Sequence, residues 1–420
     1  MKYVYLNIII CVMAYVLSDF ARNMNAVLMP FMAHDLNITI SNLGIITSLF
    51  YLAFVVLQIP CGIVLDHVGP QKLQIFLLPL SALGAFISII FNDFYILALG
   101  RLLIGAGFSM CLITAFKVVL TTFPQHKIPT FNGIVVAFGD FGGALATTPL
   151  IIITSIFGWR VGYIILFILL IFLCAYSIFL YRTTTNTIQN IESNISSTLK
   201  QKLMASKPII LYILTSPIFW LATITLSVAS AYQGFWAVYW LREYCSIEHN
   251  NLSTYMLQIS ISTILGSIIL GKLSAFLLKR NFLLEHVIAG FALIFIIIQF
   301  LISEMFPNSK ILWMLFAFFG TGGLLSYSML GVISPNSAGI ANSIFNMLAY
   351  GLSFCTQFAF GILIDYLNMS IPTLGILEAI HLTFRIFLTI QSIIFIIYII
   401  KVTYIKQYLR INNNKLMYGR

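Results

Sequence analysis

Charge is what this chain lacks. Of its 420 residues only 8% are Asp, Glu, Lys or Arg, while 60% are apolar. Soluble domains carry about 25% charged residues, so most of this surface cannot be facing water. The six cysteines (Cys11, Cys61, Cys111, Cys174, Cys245 and Cys355) stand singly, with no C-x-x-C pair and no even framework, so neither zinc nor disulfides are indicated. There is no phosphate loop, no H-E-x-x-H and no nucleophile elbow, which sets aside enzyme chemistry, cofactors and metals. No nucleotide-binding domain accompanies the apolar stretches, which argues against ATP as the energy source. A net charge of +10 would suggest nucleic acid, but its distribution argues against that too.

What is present is long apolar runs. A membrane helix needs about 20 apolar residues. Twelve stretches qualify, at roughly 4–32, 41–65, 73–92, 95–122, 130–156, 160–182, 209–242, 252–278, 285–304, 311–332, 336–366 and 378–402. The run after Lys2 has no small-residue cleavage site before Asp19, so it reads as a retained first helix rather than a signal peptide. Placing both termini inside puts 14 of the 22 Lys and Arg on the cytoplasmic side and only Arg160, Arg242 and Lys310 outside. That asymmetry is topological. The expected organisation is a six-helix bundle over 1–182, a polar cytoplasmic linker over 183–208, a second bundle over 209–402 and a basic tail over 403–420. An internal echo supports two repeats: Gly62 and Gly271 open similar hinges after the second span of each half, 209 residues apart.

These residues also carry a family resemblance. Gly62-x-x-x-Asp66-x-x-Gly69-x-x-Lys72 resembles the signature between the second and third helices of the major facilitator superfamily. Arg101 in Leu-Gly-Arg-Leu-Leu-Ile-Gly-Ala-Gly resembles its fourth-helix motif. Gly139-Asp-Phe-Gly-Gly143, Pro149 and Gly158-Trp-Arg160 resemble its fifth helix and exit. The likeness continues through Tyr232-Gln-Gly-Phe-Trp236, Pro335 to Asn342, Asn346 and Gln357. Within the superfamily the chain looks most like bacterial inner-membrane carriers of the phagosomal nutrient-transporter type. The resemblance implies an all-α fold of twelve helices in two pseudo-symmetric bundles. It also implies alternating access, a bacterial inner-membrane location and function as a monomer. Three positions depart from the pattern: His67 replaces an expected Arg, Ala275 replaces the acid of the second hinge, and Ile340 stands where related carriers often have Arg.

Gly62, Asp66, Gly69 and Lys72 form the candidate gate. A carboxylate at Asp66 gains about 0.3–1 kcal/mol near a helix N-terminus, up to about 2 when partly buried. Ser334-Pro335 is a suitable start for such a helix. The alternative is an ordinary solvated loop acid. Charges inside spans each cost at least about 2.5–3.5 kcal/mol at the helix centre and usually face a cavity. Asp19 and Asp140 are the candidate proton-coupling groups. Arg22 and Arg101 are the candidates for a substrate carboxylate, although Asp19 and Arg22 at i,i+3 can also simply neutralise each other. Arg101 can equally link helices, and Asp140 can equally bond a neighbouring helix. Gln233, Trp236, Asn346, Tyr350 and Gln357 complete the binding candidates on two polar stripes; Trp240 reads as either stripe or interfacial belt. Lys117 either lines the cavity or snorkels to the headgroups.

The expectation is a secondary carrier: proton-coupled uptake of a small anionic or zwitterionic solute such as an amino acid or organic acid. Its partners are then the bilayer, the solute and protons, with no nucleic acid. Export of a drug or siderophore is the competing transport reading. A non-transporting receptor or scaffold is the competing class.

Overall fold

The computed structural model describes residues 2–36, 40–188, 208, 210–231, 237, 240–246, 249–333, 335–370 and 375–417. Among them every regular element is helical. Lipid requires this, because no water is available to satisfy an open backbone. The helices are α1 (Lys2–Leu36), α2 (Ile40–Val68), α3 (Pro70–Ile90), α4 (Phe94–Phe108), α5 (Cys111–Thr122), α6 (Ile128–Leu145), α7 (Thr148–Phe157) and α8 (Arg160–Ile188). They continue with α9 (Pro217–Ala231), α10 (His249–Lys279), α11 (Leu284–Glu304), α12 (Lys310–Gly320), α13 (Leu325–Ile333), α14 (Ala338–Ser370) and α15 (Gly375–Met417).

Among the described residues ten stretches are long and apolar enough to cross a membrane, and α9 adds a shorter apolar helix. The expected span at 336–366 corresponds to α14, of 33 residues. Three expected spans are interrupted. α4 and α5 form one stretch, α6 and α7 another, and α12 and α13 a third joined by a 3-10 turn at Thr321–Leu324. At the first break the freed backbone is satisfied from another helix: Gln58 Nε2 of α2 donates to Ser109 O at 2.8 Å.

Element ends follow residue chemistry. Asp93 caps α4 by accepting from Tyr95 N and Ile96 N, at 2.9 and 3.1 Å. Gly69 ends α2 at φ +83°, and Pro70 opens α3 directly after it. No neighbour lies within 4 Å of a Cβ at Gly69, so glycine is required there by backbone conformation and not by space.

The chain divides into two compact units. The first comprises Met1–Leu211, Ser267–Lys279 and Tyr327–Leu348. The second comprises Tyr212–Gly266, Arg280–Ser326 and Ala349–Arg420. In the first unit α1 packs on α5, α6 and α8, α3 on α4 and α8, and α2 on α4. The second unit is built on an aromatic core of Trp240, Phe295, Trp313, Phe316, Phe360 and Phe384. Both indoles donate to the Pro307 carbonyl, at 3.3 Å from Trp240 and 3.0 Å from Trp313. Trp240 is therefore a core residue and not a belt aromatic. Deeper in this unit Gln299 and Gln391 exchange amide hydrogen bonds of 2.9 and 3.1 Å.

Small residues set the closest contacts. A Cβ at Gly142 would lie 2.3 Å from Val16 O, whereas one at Gly290 meets nothing within 4 Å. Gly142→Leu is therefore expected to lower the thermal midpoint of the purified protein by several degrees or prevent its recovery. Gly290→Ala should leave the midpoint unchanged or slightly higher; a fluorescence-detected melting curve distinguishes the two.

Candidate functional site

Two clusters of functional side chains lie in the first unit. The central one starts from three glycines. Gly139, Gly142 and Gly143 present no side chain to α1, so α6 closes onto Tyr15, Val16 and Asn23. This close packing of α1 and α6 is what sets Asp140 in the electrostatic surroundings of Asp19 and Arg22. Asp19 is 2% exposed and pairs with Arg22 one turn on. Asn23 Nδ2 donates to Asp19 O at 2.9 Å. Asp140 adjoins the Ser267 hydroxyl of α10, while its Oδ2 has no hydrogen-bond partner among the described residues.

Arg101 of α4 meets α1 at a separate point. It is 1% exposed, donates from Nη1 to Ala21 O at 3.1 Å, and lies over the Phe50 ring at 5.3 Å. No carboxylate pairs with it among the described residues, and its Nε has no hydrogen-bond partner there. Nearby, Tyr163 OH donates to Asn25 Oδ1 at 3.4 Å. The central cluster thus sets two acids, Asp19 and Asp140, around one guanidinium, Arg22, while Arg101 is a buried guanidinium with no acid among the described residues. A buried charge in that condition calls for a counter-charge.

The second cluster holds the candidate gate residues. Asp66, whose side chain is 1% exposed, accepts from Gly339 N with Oδ1 and from Ile340 N with Oδ2, both at 2.9 Å. These amides belong to the first turn of α14, which follows a 3-10 turn at Pro335–Ser337. Ser334 lies outside the described residues. The contact is possible because both helices lack side chains there. A Cβ at Gly62 would lie 2.5 Å from Ser343 Oγ, and one at Gly339 would lie 2.9 Å from Gly62 O. Lys117 neither lines a cavity nor snorkels: its Nζ donates to Asp66 Oδ1 at 2.8 Å and to Pro335 O at 2.9 Å. The reason is tertiary, since α5 delivers this ammonium to an acid 51 positions away in the chain. The departure at Ile340 costs nothing here, because its backbone amide, not its side chain, makes the contact.

The remaining candidates are dispersed. Asn346 is fully buried, with Oδ1 accepting from Tyr327 OH. Tyr350 is half-buried on α14, and Gln357 lies on the same helix with its side chain outside the described set. Gln233 and Trp236 fall outside the described residues. Lys72 is half-buried in the first turn of α3 and keeps its own contacts. Beyond Lys117, sequence reasoning missed the partner of Asn132, whose Nδ2 donates to Ser328 Oγ at 2.9 Å. It also missed the cluster in the second unit where Arg385 Nε donates to Glu304 Oε1 at 2.7 Å beside His381. Polar residue types at helical spacing signalled each of these, but not which partner each would meet.

The family model for the Major Facilitator Superfamily matches residues 11–356. Among curated proteins the chain is 26% identical over 158 residues to a probable sulfoacetate transporter of Cupriavidus necator, covering 38% of this chain and 36% of that one. It is 24% identical over 159 residues to a hexuronate transporter of Bacillus subtilis, covering 37% of each. It is 30% identical over 133 residues to a nitrate/nitrite transporter of a Picosynechococcus species, covering 31% of this chain and 24% of that one. The matches thus span between about a quarter and little more than a third of the length of these curated relatives. In fold it is similar to a crystal structure of the E. coli fucose:proton symporter, with TM-score 0.65 and 16% identity, covering 93% of this chain and 99% of that one. A second structure of that symporter, in the outward conformation, gives TM-score 0.66 at the same identity and coverage.

Cys61 reports on the gate directly, being buried beside Gly62. Removing one member of a buried pair costs about 3–5 kcal/mol. Asp66→Asn and Lys117→Met are both expected to raise maleimide labelling of Cys61 several-fold at constant pH, read by peptide mass spectrometry. Ala275→Ser, on the matching hinge, should leave it unchanged.

Proposed function

Because the chain belongs to the Major Facilitator Superfamily, we propose that it is a secondary active carrier taking up a small anionic or zwitterionic solute with protons. The solute class is an amino acid or organic acid, and the route is alternating access across a bacterial inner membrane with both termini cytoplasmic. The moving bodies are the two expected halves, 1–182 and 209–402, in a single chain acting as a monomer.

The observation that carries this reading is the Asp19–Arg22 pair set beside Asp140. A guanidinium such as that of Arg22 pairs most strongly with one carboxylate at a time. While Asp19 is ionised it occupies Arg22; once protonated it releases the guanidinium to a substrate carboxylate. Proton and substrate then favour each other's binding, which is the thermodynamic content of coupling. Arg101 offers a second anion contact, and Phe50 beside it offers an apolar wall. Sulfoacetate, hexuronate, nitrate and nitrite, the solutes in the names of the relatives, are all anions, which supports the anionic class. The fold's likeness to a named proton symporter supports the coupling ion.

Charge arithmetic gives a way to separate solute classes. A monoanion with one proton moves no net charge, so the membrane potential does no work on it. A zwitterion with one proton carries one charge, worth about 2.3 kcal/mol per 100 mV. In this cycle the contacts of Asp66 with Gly339 and Ile340 and of Lys117 with Pro335 hold one gate closed, and their release is part of the conformational change.

The test is solute accumulation in proteoliposomes under an imposed inward proton gradient, with candidate solutes first identified by comparing metabolite uptake in expressing and non-expressing cells. Accumulation should follow the gradient, and Asp19→Asn and Asp140→Asn should each lower it tenfold or more. Accumulation indifferent to the gradient, or intact in both variants, would sink the reading.

A further inference from the structure

The repeat that relates the Gly62 hinge to the Gly271 hinge has an acid in only one of its copies. Asp66 stands four residues after Gly62, and Ala275 stands four residues after Gly271. Yet the second hinge makes a helix contact as close as the first. A Cβ at Gly133 of α6 would lie 2.0 Å from Ser267 O of α10, and one at Gly271 would lie 2.6 Å from Pro129 O. Thr130 Oγ1 donates to Gly271 O at 3.3 Å, and Asn132 Nδ2 donates to Ser328 Oγ at 2.9 Å. Ser267, itself 4% exposed, ends this seam on α10. Its hydroxyl adjoins the carboxyl of Asp140, which lies seven residues, or two helical turns, beyond Gly133 on α6. The acid missing from the second hinge is thus supplied from the opposite side of its seam.

We propose that Ser267 is the positioning residue through which the proton on Asp140 controls the seam between α6 and the 267–279 part of α10. Ionised Asp140 accepts the Ser267 hydroxyl in a charge-assisted bond that holds the seam closed at its upper end. A proton arriving at Asp140 Oδ2, the oxygen without a described partner, removes the charge and weakens that bond. Hydrogen bonds to charged groups contribute on the order of tenfold or more to an equilibrium, so protonation shifts the seam toward open by about that factor. The groups facing Asp140 are Asp19 and Arg22 from α1 and Ser267 from α10. Arg22 pairs with Asp19 on α1, whereas the Ser267 hydroxyl stands on α10 and so links Asp140 to the seam. This inference rests on the reading of Asp140 as a proton-coupling group, and it adds the residue that converts the proton into movement. It also gives the two gates different controls, with fixed charges at Asp66 and Lys117 and a titrating acid at Ser267.

Spin labels at Lys127 and Lys279, both exposed and both in the first unit, report the width of this seam. The measurement is electron–electron double resonance in nanodiscs, with the native cysteines replaced and the full chain retained. Between mildly alkaline and mildly acidic buffer the wider population should rise about tenfold in the otherwise native chain. In Ser267→Ala it should be raised at both pH values with little response left, and Ser267→Thr, which keeps the hydroxyl, should restore the response. Asp140→Asn should abolish it. A full response in Ser267→Ala together with none in Asp140→Asn overturns the role of Ser267 while leaving Asp140 as the proton site. A full response in Asp140→Asn overturns the proton-site reading, and this inference with it.

Discussion

Helix backbones in lipid come together only where side chains are missing, and that steric condition carries both the buried charges and the candidate gate of this protein. No hydrophobic force drives one membrane helix onto another, so close packing and interhelical hydrogen bonds must do it. Glycine supplies the approach at Gly142 against Val16, at Gly62 and Gly339, and at Gly133 and Gly271. The polar groups sit directly beside these contacts. Asp140 lies within the glycine run that meets α1, Asp66 one turn from Gly62, and Ser267 against Gly133. Close approach removes water and lipid from around the charge, which strengthens any partner it finds and penalises any it lacks.

The same principle gives the two clusters opposite characters. At the gate the acid is fully answered, by two backbone amides of a helix N-terminus and one ammonium. Such a site is rigid, and opening it means breaking charged hydrogen bonds. Elsewhere the balance is incomplete: Asp19 and Asp140 share the one guanidinium of Arg22, and Arg101, apart from them, has no acid among the described residues. A buried group left so calls for a counter-charge or a change of protonation state. A carrier needs both kinds, one to define states and one to let ligands choose between them.

Much of the fold was legible in advance because a membrane leaves few options. Scarce charge, runs of about 20 apolar residues and the lopsided Lys and Arg fix an all-helical polytopic chain, and the hinge at Gly62 to Lys72 identifies its family. Less was legible of the site. Asp66 could be matched to the start of α14 because a carboxylate beside a helix N-terminus has a known physical use. Lys117 could not be, since a lone lysine near the end of an apolar run reads equally well as a headgroup anchor. The breaks at Ser109 and in the 321–324 turn were invisible, because hydropathy is blind to backbone geometry.

The sequence by itself determined the solvent of this protein, its helical class, the side on which positive charge collects and the short list of polar residues that lipid would not tolerate without reason. These follow from transfer free energies, which are properties of residue types and their order. Only the tertiary structure decided the partners: Lys117 with Asp66, Arg101 with the Ala21 carbonyl, Asp140 with Ser267. Each joins helices 51 to 127 positions apart in the chain. Such pairing depends on where glycines let two backbones meet, and no local pattern in either helix encodes that.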